Sequence, residues 1–192
     1  MLYRFSKRVI VDSYNNGFIN TGKHQLFSVY DGENLVGEFY YNANQSFFYY
    51  GDTRIKIGKV GKKLFKDMSI IDDYTDTVIG KYASAGSWIK GFREKILLYG
   101  IAYIFQRIKP PVKFSYFKRD TWHYYRYKVG KEIEEMIYTF KLDIPHRQSK
   151  SETMDMPFEG TIEVLKGDNK SVLFATFYLI GDFLEEQFIR MD

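Results

Sequence analysis

The sequence predicts a mainly β protein, in which ten or more antiparallel strands close into a barrel around a hydrophobic C-terminal α-helix. Aromatic residues make up 19% of the 192 residues, with 17 Tyr and 17 Phe, and their flat rings pack well on a pleated sheet. Short strand-like runs alternate with turn signals along most of the chain. Val172–Leu184 is apolar on every side, and a helix of that kind must be buried all round.

The strand-like runs number ten to twelve, and turn residues separate most of them. In chain order they are Leu2–Val11, Gln25–Tyr30, Leu35–Tyr41, Ser46–Tyr50, Arg54–Val60, Lys66–Ile71, Thr77–Ala83, Ile96–Ile108, Lys113–Phe117, Trp122–Val129, Glu132–Leu142 and Thr161–Leu165. Asp31-Gly32 is a strong hairpin signal. Periodicity alone does not decide whether Ile96–Ile108 is a buried strand or a buried helix. Its glycine, Gly100, and its Ile, Tyr and Phe content favour a strand.

One sequence pattern occurs twice. Val29–Phe39 and Ile71–Tyr82 both contain an acidic turn, two aliphatic residues, a glycine, a charge and an aromatic residue. Each copy predicts a hairpin whose second strand carries a glycine, Gly37 or Gly80. A glycine within a strand marks a bulge, a sharp bend or the close approach of another element.

The C-terminal helix is predicted at about 171–190, with Ser171 as its N-cap. Asp182 and the glutamates that follow make its last turns half-polar, so we expect the helix to become solvent-exposed from about Asp182. A sheet wrapped around the helix buries its apolar surface, and the helix fills the interior of a barrel of ten or more strands. Closure of the barrel also removes exposed sheet edges. The alternative is a smaller calycin-like barrel with the helix packed outside, but Val172–Gly181 lacks the polar stripe of an outer helix.

The paired Leu35-Val36-Gly37 and Val78-Ile79-Gly80 motifs and the terminal helix SVLFATFYLIGDF resemble the tubby C-terminal-like superfamily, which includes the tubby domain, the phospholipid scramblases and the LURP-one-related proteins. The resemblance covers nearly the whole chain and implies a twelve-stranded barrel around a central helix, in one domain over residues 1–192. The chain has no Cys-rich or Pro-rich N-terminal region of the scramblase kind, so the resemblance does not imply scramblase activity. A small stand-alone domain of the LURP-one type is the nearest description.

The sequence offers little for catalysis or metal binding. It has no cysteine, so it has no thiolate ligand or cysteine nucleophile. Its three histidines, His24, His123 and His146, have no metal-ligand spacing. Asp120 lies near His123, but residues three apart on a strand face opposite sides.

Three further motifs are weak. Asp72, Asp73 and Asp76 lack the regular loop of an EF-hand. The glutamates from Glu132 to Glu135 have no partner carboxylate that the sequence places opposite them. The segment 58–63 lacks the spacing of a phosphate-binding loop. We therefore predict a non-enzymatic protein without cofactor or metal.

Charge is unevenly divided along the chain. Residues 1–130 carry 21 Lys and Arg against 11 Asp and Glu, whereas residues 131–192 carry 7 against 13. The basic residues concentrate in two clusters, the second of them around Trp88 and Phe92. The clusters consist of Lys59, Lys62, Lys63 and Lys66, and of Lys90, Arg93 and Lys95. Cations interleaved with aromatic rings suit anionic lipid headgroups.

We therefore expect a binding domain that recognises anionic lipid, with phosphoinositide-like headgroups as the candidate class. The tubby resemblance implies the same ligand class, because the tubby domain binds phosphoinositides. Two alternatives stay open: a protein-interaction or scaffold domain without a small ligand, and a nucleic-acid binder that uses the same basic surface. The N-terminus has no signal-peptide pattern and no run is long enough to span a membrane as a helix, so we expect a cytoplasmic protein that is soluble or peripheral to a membrane.

Overall fold

The computed structural model describes residues 1–15, 18–42, 45–59, 68–84, 93–108, 125–131, 135–144 and 156–189. Twelve strands and one helix lie within these ranges. They are β1 (Leu2–Asn15), β2 (Phe18–Asp31), β3 (Asn34–Tyr41), β4 (Ser46–Tyr50), β5 (Thr53–Lys59), β6 (Met68–Asp72), β7 (Thr77–Ser84), β8 (Arg93–Leu98), β9 (Ile101–Arg107), β10 (Tyr125–Gly130), β11 (Met136–Asp143), β12 (Phe158–Val164) and α1 (Lys170–Ile189).

The twelve described strands form a closed antiparallel barrel in which every strand pairs with its neighbours in sequence. Closure comes from β1, which pairs with β2 on one side and with β12 on the other, through the register Leu2↔Glu163 to Lys7↔Phe158. The sequence prediction of a mainly β protein with a twelve-stranded barrel is confirmed.

The helix α1 occupies the interior of the barrel. Ser171 to Gly181 are all buried, and Asp182 is the first partly exposed residue. The Phe177 ring lies 5.2 Å from Phe5, 5.0 Å from Phe27 and 5.6 Å from Phe140 between ring centroids. The prediction of a central helix that emerges near Asp182 is therefore confirmed, and the calycin-like alternative with an outer helix is wrong.

The predicted N-cap of the helix is wrong. The side-chain oxygen of Asn169 accepts a hydrogen bond from the backbone N–H of Val172 at 3.2 Å, and its carbonyl accepts one from Leu173 at 2.9 Å. Asn169 is therefore the N-cap, two residues before Ser171. The Ser171 hydroxyl instead lies 2.6 Å from the Tyr50 hydroxyl on the barrel wall. Both residue types cap well, so the sequence alone did not separate them.

Three strand predictions need correction. Ile96–Ile108 forms the two strands β8 and β9, because Tyr99 and Gly100 both adopt positive φ, at 50° and 76°. Two consecutive residues with positive φ make a tight hairpin turn. The predicted single strand is therefore two strands joined by this turn. The first two strands are also longer than predicted, because a register shift between Val11 and Ser13 interrupts their alternation without ending their pairing. The predicted strand Lys113–Phe117 lies outside the described residues.

The repeated glycine motif marks two bulges, as predicted. Val36 is the extra residue opposite Val29/Tyr30, directly before Gly37, and Ile79 is the extra residue in the corresponding place before Gly80. Both glycines also lie against other elements: a Cβ on Gly37 would stand 2.7 Å from the Phe174 ring, and one on Gly80 would stand 2.1 Å from a backbone carbonyl. A side chain at either position would displace its neighbour.

A third bulge, which the sequence pattern did not reveal, lies four strands further round the barrel. Here Ile137 is the extra residue on β11, because the register shifts between Val129 and Gly130. The residue that follows is Tyr138 where the other two copies have glycine. Three hairpins at four-strand spacing thus share one bulge geometry, and the tyrosine of the third reaches the start of α1.

Candidate functional site

The barrel has two ends, and the direction of each strand shows which connections belong to each end. The odd-numbered strands begin at the end where α1 also begins, which we call the acidic end. They finish at the opposite end, which we call the basic end. Six connections join elements at each end.

The sequences of the connecting segments at the two ends differ in charge. The segments that join strands at the basic end are 16–17, 42–45, 60–67, 85–92, 108–124 and 144–157, and their sequence contains ten Lys and Arg against four Asp and Glu. The segments at the acidic end are 32–33, 51–52, 73–76, 99–100, 131–135 and 165–169, with two Lys against eight Asp and Glu. The sequence halves showed part of this asymmetry, but only the strand order assigns it to the ends of the barrel.

Each of the two predicted basic clusters has one described residue at a strand terminus of the basic end. Lys59 is the last residue of β5 and Arg93 is the first residue of β8, and both backbones belong to this end. The ladder from β5 through β6 and β7 to β8 is continuous. Lys95 is exposed on β8. The other predicted positions, Lys62, Lys63, Lys66 and Lys90, lie outside the described residues.

The outer face of β7 to β10 also carries positive charge. Lys81, Lys95 and Lys128 are exposed and alternate with inward-facing residues of these strands. Lys95 pairs with Ala83 and Ile104 on the neighbouring strands. No carboxylate shares this outer face among the residues whose side chains the structure describes, because Glu94 has the inward register of Ile96. The face therefore combines lysines with aliphatic side chains.

The outer face of β11, β12 and β1 differs, because it mixes both signs of charge. Lys141 pairs with Asp143 at 2.8 Å, and Glu159 and Glu163 are exposed on β12. Arg4 on β1 donates a hydrogen bond to the Gly32 carbonyl at 3.0 Å. Of these two outer faces, only that of β7 to β10 is without a carboxylate among the described side chains.

The residues considered for catalysis or metal binding do not form a site within the described ranges. Asp72 accepts hydrogen bonds at 3.0 Å from the backbone N–H groups of Tyr74 and Thr75, and Asp73 pairs with Lys56 at 2.6 Å. No group of three potential metal ligands occurs among the residues that the structure describes.

The described histidine and glutamate among these candidates do not form a catalytic or metal site either. His24 is buried on β2, where its ring lies 6.5 Å from the Phe47 ring. Glu135 makes a surface ion pair with Lys166 at 3.3 Å. His123, His146, Asp120, Glu132, Glu134 and the segment 60–63 of the rejected phosphate loop lie outside the described residues.

A buried carboxylate on the outer face of β3 is fully paired. Glu38 is 5% exposed and accepts hydrogen bonds from the Ser28 hydroxyl at 2.8 Å, the Tyr40 hydroxyl at 2.9 Å and the Tyr49 hydroxyl. Burial and the bond to Glu38 raise the pKa of Tyr49 well above its usual value. Hydrogen bonding on this scale is what a buried charge requires, so we assign Glu38 a structural role.

A second polar cluster fixes the start of α1 at the acidic end. Asp168 accepts hydrogen bonds at 2.6 Å from the hydroxyls of Tyr3 and Tyr138, and Lys170 lies 2.7 Å from the same carboxylate. Burial alone would raise the pKa of Asp168, but the bonds from Lys170, Tyr138 and Tyr3 outweigh it and hold that pKa below its usual value. The cluster joins β1, β11 and α1, so it orients the helix as it enters the barrel.

The acidic end also contains a cavity of about 210 Å³, which the sequence did not predict. It opens where the β3–β4 ladder stops at Glu38↔Tyr49, next to the bulge at Val36. Its lining consists of Leu35, Val36, Gly37, Tyr49, Gly51, Asp52, Arg54 and Tyr74. These residues come from three hairpins that are distant in sequence, which is why no local pattern could reveal the cavity.

Comparisons of the chain with protein-family models, curated proteins and solved structures returned no match. The tubby-type resemblance therefore stays a prediction about family, although the barrel and its central helix are those that it implied. Within the described residues, no helix combines the length and the apolar character needed to cross a bilayer.

Proposed function

We propose that the protein is a non-enzymatic binding module that recognises anionic phospholipid headgroups, of the phosphoinositide class, through its basic end. The observation that carries the proposal is the difference in sequence charge between the segments that connect strands at the two ends of the barrel. The adjoining lysine-bearing face of β7 to β10 supports it. The predicted kinship with the tubby domain, a phosphoinositide binder, points in the same direction.

The expected strength of binding follows from the number of cations. A Lys or Arg near an anionic membrane surface contributes about 1 kcal/mol, so two lysines account for roughly thirtyfold in affinity. Trp88 and Phe92, in the segment 85–92, are residue types that favour the headgroup level. The acidic end has the wrong sign of charge for the same surface, so the barrel would bind with α1 pointing from the solvent side towards the lipid.

Nucleic acid is a less suitable ligand for the lysine-bearing face. Single-stranded nucleic acid is held by aromatic side chains on which the bases stack. None of the described side chains between Lys81, Lys95 and Lys128 is aromatic: Leu97 and Ile104 are aliphatic and Gln106 is polar. Aliphatic residues among lysines fit a lipid surface better than they fit a base.

Vesicle co-sedimentation with a matched pair of variants tests the proposal. Lys62→Glu/Lys63→Glu reverses two charges at the basic end, and Lys131→Glu/Lys166→Glu makes the same change in net charge at the acidic end. We expect the native chain to bind vesicles that contain phosphatidylserine and a phosphoinositide, but not neutral phosphatidylcholine vesicles. The first variant should bind at least about thirtyfold more weakly and the second should bind like the native chain.

Three results would contradict the proposal: equal binding to neutral and anionic vesicles, equal loss in the two variants, or no vesicle binding. An oligonucleotide that competes with the vesicles and whose affinity falls steeply with log salt would favour nucleic acid instead.

A further inference from the structure

Exposed apolar side chains gather at the acidic end of the barrel. They lie at the tips of its hairpins, at the N-terminus and before α1. Those that the structure describes are Met1, Leu2, Leu35, Tyr74, Val78, Tyr99, Ile101 and Leu165, each between 41% and 65% exposed. Scattered exposed apolar residues are normal, whereas apolar residues gathered at one place mark an interaction surface.

The cavity described above lies among these tips. Leu35 from the β2–β3 hairpin and Tyr74 from the β6–β7 hairpin form its exposed apolar walls, and Asp52 from the β4–β5 turn adds an exposed carboxylate. The β4–β5 and β6–β7 hairpins are joined by a bond from the backbone N–H of Asp73 to the Arg54 carbonyl at 3.0 Å, and the β3–β4 ladder joins the β2–β3 hairpin to them. The cavity is therefore a preformed feature of the rim.

The size of the cavity limits what it can hold. Sites for drug-sized ligands measure roughly 300–1,000 Å³, and this cavity measures about 210 Å³. That volume suits a single long side chain. A chain of methylene groups would lie against Leu35 and Val36, with a polar head beside Asp52 and Tyr74.

The charge around the cavity favours a cationic head group. Six carboxylates lie in residues 31–37, 49–56 and 72–77, the parts of the three hairpins next to the cavity, against the two cations Arg54 and Lys56; the six are Asp31, Glu33, Asp52, Asp72, Asp73 and Asp76. Lys56 is already paired with Asp73 at 2.6 Å, and the Arg54 guanidinium lies 5.7 Å from the centre of the Tyr74 ring. That ring is therefore already engaged by a cation of the chain, and the negative charge offered to a ligand comes from Asp52 in the lining and from the carboxylates around it. An anionic membrane would be repelled here, so the apolar tips fit a protein partner and not a lipid surface.

We infer that the acidic end is a docking surface for a basic peptide segment of a partner protein, with one lysine or arginine side chain in the cavity and neighbouring apolar residues on the hairpin tips. The charge complementarity and the side-chain size of the cavity identify this occupant. The surface lies at the opposite end of the barrel from the proposed lipid site, so one chain can engage a membrane and a basic partner at the same time.

Fluorescence anisotropy of a labelled synthetic peptide tests the inference on the full chain. The probe is a short repeat of arginine, leucine and glycine, and its counterpart has glutamate in place of arginine. The variant Asp52→Asn/Tyr74→Ala removes the carboxylate and the ring from the cavity. The control Glu159→Gln/Val11→Ala removes one exposed carboxylate and one exposed apolar side chain elsewhere on the barrel.

We expect the arginine peptide to bind, the cavity variant to lose at least about tenfold in affinity, and the control to bind like the native chain. The inference is overturned if the arginine peptide does not bind, if the glutamate peptide binds as well, or if the two variants lose affinity equally. Thermal melting of both variants establishes that a loss is not due to unfolding. The vesicle assay is unaffected by these outcomes, so the two proposals fail independently.

Discussion

Truncation of Phe177 measures how much the central helix contributes to stability. The Phe177 ring is completely buried and contacts the rings of Phe5, Phe27, Phe39 and Phe140 on four strands, at centroid distances of 5.0 to 6.2 Å. The barrel wall is held by its own hydrogen-bonded ladder, so it cannot collapse into the space that the ring leaves. Phe177→Ala should therefore leave a cavity close to the full size of the ring.

The expected cost follows from that rigidity. Phe→Ala substitutions in cores cost about 3–5 kcal/mol, and the loss of four ring–ring contacts places Phe177 in the upper part of that range. We expect about 4–5 kcal/mol for Phe177→Ala, against a total stability of about 5–15 kcal/mol. The variant should fold but unfold at a much lower urea concentration. Phe177→Asp should fail to fold, because the same site would hold an unpaired charge.

Urea unfolding monitored by circular dichroism checks the value, with Leu35→Ala as the exposed control. The control should cost less than about 1 kcal/mol. If Phe177→Ala costs no more than the control, the helix does not lie inside the barrel and the reasoning about the fold is refuted.

Two further predictions concern the same interior. Gly181→Ala should lower the free energy of unfolding by about 1–3 kcal/mol, because the new Cβ would lie 2.6 Å from the Tyr41 ring; a stabilised variant in thermal melting would contradict this packing. Burial and a hydrogen bond to Glu185 raise the pKa of Tyr41, burial raises that of Tyr82, and burial and the bond to Asp168 raise that of Tyr138, all far above the usual value of 10.0. The folded chain keeps these protons where the unfolded chain releases them, so stability should be unaffected below about pH 9 and fall above pH 10 by about 1.4 kcal/mol per pH unit per tyrosine. Ultraviolet titration should show a fraction of the 17 tyrosines ionising only as the chain unfolds, and ionisation of every tyrosine while the chain is still folded would contradict the prediction.

The architecture was accessible from sequence because its two strongest signals are local. An apolar helix without a polar stripe has to be enclosed, and Val172–Leu184 has that composition over several turns. The two motifs ending in Gly37 and Gly80 predicted bulges for the same reason: a missing side chain marks a place where another element comes close.

Details that depend on geometry were not accessible in the same way. Tyr99 adopts a positive φ that is uncommon for a large side chain. The residue type at that position therefore gave no sequence signal for the turn between β8 and β9. Tyr138 replaces the expected glycine at the third bulge, which hid that bulge from a pattern search.

The candidate functional surfaces were likewise predictable only where the sequence carries a local signal. The lysine clusters at Lys59–Lys66 and Lys90–Lys95 are visible as composition, but the sequence does not indicate that Lys59 on β5 and Arg93 on β8 lie at the same end of the barrel. The cavity needed three hairpins to meet, with Leu35, Asp52 and Tyr74 brought together over long separations in sequence. Contacts of this kind depend on the strand order of the barrel.

The most direct test of the central claim is to find which end of the barrel meets an anionic membrane. The chain has no cysteine, so Ala83→Cys near the basic end and Tyr99→Cys at the acidic end each introduce a single site for an environment-sensitive fluorophore. Ala83 lies on β7 opposite Lys95 of β8, and Tyr99 lies in the turn that follows β8 at the acidic end. With vesicles that contain phosphatidylserine and a phosphoinositide, we predict a blue shift and higher emission at position 83 and no change at position 99. A blue shift at position 99, or at neither position, would contradict the proposed orientation.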